Sequence, residues 1–151
     1  MPKVNTVKKA RKDYPDFGIK KGDTYYYWSF NFGPTVKSKT YPKRSQLTRS
    51  DFLAQLWDLE DGLPERFHNL DNVSDIESEL ETLKDEIQNL LDGTQEKYDN
   101  MPEQLQESSD AGQTLQERID ALENWISDLD GINLDPIEDI IQEILDTSCG
   151  L

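Results

Sequence analysis

The chain has 151 residues, of which 34% are hydrophobic and 31% charged, with a formal net charge of −15. That length and composition hold one domain, or a very small module followed by a helical extension, and exclude one large buried core. One histidine and one cysteine exclude a Cys/His metal cluster and any local Ser/His/Asp or Cys/His signature.

The charge is segregated. Residues 1–50 carry 12 Lys and Arg against 3 Asp and Glu, whereas residues 51–151 carry 4 against 28. Asymmetry of this kind speaks about partners and solubility. It suggests a basic aromatic head, residues 1–62, and an acidic coiled-coil-like helical tail, residues 63–151. The lone Cys149 allows no internal disulfide and suits a reducing cytoplasm. No apolar run approaches a membrane span or a signal-peptide core, so neither membrane contact nor export is expected.

The first dozen residues, with Lys8, Lys9, Arg11 and Lys12, read as a flexible arm or a short weak helix. Tyr14-Pro15-Asp16-Phe17-Gly18 and Lys21-Gly22-Asp23 read as turns. Then Tyr26, Trp28, Phe30 and Phe32 alternate with polar residues, the period of a strand with one packed face. Gly33-Pro34 ends it, and Thr35 to Tyr41 reads as the return strand. A three-residue turn pairing Phe32 with Val36 is favoured. It puts Lys37, Lys39 and Tyr41 on the wet face with Tyr25, Tyr27, Ser29 and Asn31, and so keeps the ammonium groups hydrated. Tyrosines interleaved with lysines on an exposed sheet suit single-stranded nucleic acid, with Lys43, Arg44 and Arg49 extending the positive track. The competing reading is a small module's aromatic core with lysines that keep an edge strand soluble.

Leu47-Thr48-Arg49-Ser50-Asp51-Phe52 predicts a helix capped by Thr48 and stapled by Leu47 and Phe52, stopping at Asp61-Gly62. A heptad-like seam follows at Val73, Ile76, Leu80, Leu83, Ile87 and Leu90. It weakens at Gly93 and Thr94, and Pro102 kinks the helix or ends it near Asn100. Ser108 to Gly112 reads as a loop. A second stripe runs through Leu115, Ile119, Leu122, Trp125, Ile126 and Leu129, and a third through Ile137, Ile140, Ile141, Ile144 and Leu145, opened by Asp135-Pro136. Such stripes pack antiparallel or pair with copies of the chain, so a homo-oligomer is expected.

So many carboxylates repel one another, and three reasons can be given: solubility, imitation of nucleic acid, or docking of the basic head on an acidic tail. One acid per ~3.6 residues places a charge about every 5 Å along a helix, against one per ~1.7 Å of duplex DNA. Imitation therefore requires two or three helices side by side. Glu77, Glu81, Asp85 and Glu86 are the candidate contacts of the tail.

No phosphate-binding or dinucleotide-binding loop is present. Asp128, Asp130, Asn133, Asp135 and Glu138 fail as a calcium loop, because Gly131 and Ile132 fall at the wrong positions. His68 reads as a helix-end or surface residue, and no cofactor, metal or catalytic residue is expected. The block KARKDYPDFGIKKGDTYYYWSFNFG…SQLTRSDF, about Lys9 to Phe52, resembles a block in tailed-bacteriophage proteins. Its most specific parts are Lys20-Lys21-Gly22-Asp23 and Ser45-Gln46-Leu47-Thr48. The resemblance implies a phage-encoded protein of the host cytoplasm and supplies no activity or site.

The fold expected is α+β: a hairpin-and-helix head, then an antiparallel helical tail. The function expected is a phage-encoded non-enzymatic protein that binds and modulates, foremost by inhibition, a host nucleic-acid-processing or anti-phage defence complex, with acidic DNA mimicry as one route. The alternative is a nucleic-acid-binding protein that uses the Tyr/Lys face of the hairpin and dimerises through its tail.

Overall fold

The computed structural model describes residues 1–132 and 137–151, with the backbone alone at 137–139. The expected Asp135-Pro136 helix start, Asn133, Asp135, and the side chains of Ile137 of the third stripe and of Glu138 lie outside what is described. The fold is α+β, a three-stranded antiparallel sheet followed by helices. The chain forms two compact units, Met1–Trp57 and Asp58–Leu151, and the division falls within one helix.

The first unit is built on a sheet of order β1-β2-β3, with β1 Asn5–Val7, β2 Tyr25–Ser29 and β3 Thr35–Ser38. The N-terminal segment expected as an arm or weak helix thus supplies an edge strand. Asn5 and Val7 pair with Tyr27 and Tyr25, so the aromatic strand is central and both its backbone edges are bonded.

The hairpin register differs from expectation. Val36 pairs with Trp28, not Phe32, and residues 30–34 form the connection. The shift is by an even number of residues, so Lys37 still lies beside Tyr27. Phe30 leaves the ladder to lie under the Arg49 guanidinium, 5.2 Å from its ring centre, and Arg49 also donates to the Asn31 carbonyl. Phe32 sits at the tip with a φ of 62° and its side chain fully exposed. It is not part of the core.

Both faces of β2 are covered. Trp28 is buried on one, while on the other Tyr25 packs with Ala10 and Ile19. The chain reaches that second face through a tight backbone knot. Tyr14 and Ile19 bridge each other around a 3-10 turn at Pro15–Phe17, and Ala10 bonds Asp23 and Gly22 through its amide and carbonyl.

A 3-10 turn at Arg44–Leu47 leads into α1, Asp51–Phe67. Its cap is Ser50, not Thr48. The Ser50 hydroxyl accepts the Leu53 amide, and Thr48 accepts the Ser50 amide one step earlier. Leu47 and Phe52 are both buried. The helix does not stop at Asp61-Gly62 but runs past Pro64. Leu63 and Phe67, buried at 2% and 0% exposure, hold the last turns helical against the bond that Pro64 cannot donate.

The second unit takes the end of α1, then α2 Val73–Asp99, α3 Glu103–Gln106, α4 Asp110–Asp130 and α5 Ile137–Asp146. Asn72 caps α2 by accepting the Asp75 amide. The buried stripe runs Ile76, Leu80, Leu83, Ile87 and then Leu91, with Val73 and Leu90 half-buried. A straight helix of 3.6 residues per turn drifts from a strict heptad, which moves the last contact from Leu90 to Leu91. The helix continues through Gly93 and ends at Asp99, ahead of Pro102.

Helix α4 opens earlier than expected, because Ser109 is its cap and accepts the Gly112 amide at 3.0 Å. It packs along α2, and Lys84 reaches Asp130 at its far end, so the pair is antiparallel. Gln106 closes the connection by donating to the Tyr98 and Met101 carbonyls. Ile119, Leu122, Trp125 and Leu129 are buried, with Leu115 and Ile126 half-buried. On α5, Ile140 and Ile144 are buried, and the Trp125 indole donates to Thr147 just beyond that helix.

Candidate functional site

The residues expected to form one wet Tyr/Lys face do not assemble as one. Tyr25 is 7% exposed, with its ring 5.6 Å from that of Tyr14 and 6.5 Å from that of Tyr27. Burial, reinforced by the Tyr14 hydroxyl, pushes its phenol above the usual range. A ring enclosed in this way offers no face to a base. Tyr41 lies across the sheet from that position, edge-on to Tyr26 at 5.4 Å. Lys39 pairs with Asp23 at 3.2 Å. The Lys20 amide and then Lys39 hold that carboxyl below its ordinary range. Arg44 sits over the Trp57 ring, and Lys43 is exposed with its amide bonded to Gln46.

What the fold does bring together is a different set. The Lys37 ammonium lies 4.7 Å from the centre of the Tyr14 ring and 5.4 Å from that of Phe17, while Lys12 lies 5.4 Å from Tyr14. Each ring holds cations by its quadrupole. Tyr14 and Phe17 read as turn residues in sequence. The signal available was two aromatics three apart, between Lys12 and Lys20.

A second feature of this unit is an open cleft of about 520 Å³ lined by Phe30, Leu47, Leu53, Trp57 and Arg49, among others. The buried indole nitrogens of Trp28 and Trp57 have no hydrogen-bond partner among the described residues. No protein-family model, curated protein or solved structure matches this chain.

In the helical unit Glu77, Glu81 and Asp85 are exposed on α2. Glu86 is not free, since it accepts from Arg66 at 2.7 Å while Glu79 accepts from the same guanidinium at 2.5 Å. Burial works against the Arg66 charge, and the two carboxylates outweigh it. Lys84 is held in the same manner by Glu81 at 2.6 Å and Asp130 at 2.9 Å. Two of this unit's few cations thus join helix to helix, while Glu77 and Asp85 on α2 are exposed to solvent. Among the described residues no group of three or more His, Cys, Asp or Glu is placed to hold a metal ion. No helix among them is long and apolar enough to cross a membrane.

Proposed function

We propose that this chain is a non-enzymatic interaction protein whose acidic helical unit occupies the nucleic-acid-binding surface of a partner protein and so inhibits it. The observation that carries the reading is the lateral packing of the helices. The α2 helix holds nine carboxylates, α4 six, and residues 58–67 four. Less the four cations Arg66, Lys84, Lys97 and Arg118 on the same segments, they leave one net negative charge per ~2.7 Å over the ~40 Å length of α2, against ~1.7 Å for duplex DNA. A lone helix falls about threefold short of that density, and the bundle comes within a factor of ~1.6 of it. The resemblance to phage proteins makes a host nucleic-acid-processing or defence complex the natural partner.

The test uses the full chain immobilised and exposed to bacterial lysate, and compares it with the triple variant E77Q/E81Q/D85N. Those three side chains are exposed, so helicity by circular dichroism is expected to stay intact. Bound protein should be released by duplex DNA, should lose its own DNA binding when the chain is added, and should be absent from the variant. Equal capture by the variant would overturn the proposal.

A further inference from the structure

The basic loops of the first unit remain outside that reading. Lys9 and Arg11 flank buried Ala10, whose amide donates to the Asp23 carbonyl and whose own carbonyl accepts the Gly22 amide. This pair of bonds sets loop 8–12 directly beside loop 20–23. The side chains of Lys8, Lys9, Arg11, Lys12, Lys20 and Lys21 are all exposed there. Two of the three nearby carboxylates are engaged inside the knot: Asp13 accepts the Lys21 amide at 2.6 Å, and Asp23 takes the Lys20 amide and Lys39. Six cations against Asp13, Asp16 and Asp23 leave the local balance positive although the chain as a whole is strongly negative. Beside this patch lies Phe17, 37% exposed, with Lys37 at its ring and at that of Tyr14.

We propose that this surface binds single-stranded nucleic acid: the cations of the two joined loops take consecutive phosphates, and an unpaired base stacks on Phe17. The chemistry separates this ligand from the others. An exposed ring next to positioned ammonium groups suits a strand whose bases are free to splay, and base–aromatic stacking contributes ~1–3 kcal/mol per base. A duplex keeps its bases stacked and leaves the ring unused. An acidic protein surface would satisfy the cations and leave the ring unused as well.

The test is fluorescence anisotropy with a labelled oligo-dT strand and a duplex of equal length, titrated with the full chain. The strand should bind more tightly than the duplex. Its affinity should fall by roughly 20–50-fold between about 50 and 200 mM salt, as three or four phosphate contacts require. Neutralising K9Q/R11Q/K21Q, all exposed positions, should weaken the strand at least tenfold and flatten the salt slope. Phe17→Ala should weaken it without changing that slope. No binding at low salt overturns the proposal, as do equal affinity for the duplex and indifference to the triple variant. Salt-sensitive self-association that the triple variant abolishes, with no strand bound, also overturns it and makes a second copy's acidic unit the occupant. None of these side chains belongs to the acidic unit, so this result and the partner-capture result stand or fall separately.

Discussion

At the scale of single residues, burial decides chemistry that composition leaves open. Cys149 is nearly enclosed, and its amide donates to the Glu60 carboxylate at 3.1 Å. Burial, with Glu60 adding to it, pushes the thiol up from 9.0 to about 11. The unfolded thiol ionises first as pH rises, so the stability tied to this group is complete below pH 9 and is lost as pH climbs through about 11. Near pH 8 the native thiolate population is roughly a hundredfold below that of an unfolded cysteine. A thiol-specific reagent should therefore label the native chain slowly and the urea-unfolded chain at the ordinary rate. Equal rates would show that the thiol is not enclosed. Tyr25 makes the same point in the head, where alternation marked it as wet and packing against Ala10 and Ile19 buries it.

At the scale of elements, two helical glycines with similar sequence surroundings have opposite roles. Gly93 lies inside α2 with open space where a Cβ would stand. Gly93→Ala should raise stability by ~0.5–1 kcal/mol through backbone entropy and helix propensity. Gly112 lies in the first turn of α4, where a Cβ would fall inside contact distance of the Leu105 and Gln106 carbonyl oxygens. Those atoms are backbone and cannot swing away, so Gly112→Ala should cost ~1–3 kcal/mol by forcing α3 off α4. Urea denaturation of both variants checks the pair, and a gain at Gly112 would mean that the close approach is not maintained. Element by element, the apolar stripes of α2 and α4 were legible because helical spacing alone selects the face. The start of α4 was missed because Ser108 to Gly112 has loop composition, while Ser109 acts there as a cap. The end of α1 was missed because Gly62 and Pro64 are local stop signals, which burial of Leu63 and Phe67 outweighs.

At the scale of the whole molecule, like-charge repulsion opposes the compact helical unit. Residues 58–151 carry four cations against 27 carboxylates, and Arg66 and Lys84 bind two carboxylates each. Added salt screens the many repulsions and the few ion pairs alike. The repulsions are more numerous, so the thermal midpoint should rise between low and physiological ionic strength. A midpoint that falls with salt would mean that the joints at Arg66 and Lys84 dominate. The sequence by itself determined the α+β class, the separation of basic from acidic halves, and the faces of the long helices. Those features depend on local periodicity and on counting charges. Only the tertiary structure decided which aromatics are enclosed, where the hairpin turns, and which lysines meet which rings. These outcomes depend on contacts between residues far apart in the chain, such as Ala10 with Asp23, Lys37 with Tyr14, and Arg49 with the Asn31 carbonyl. No local pattern encodes a pairing between distant segments, because its energy exists only once both are in place.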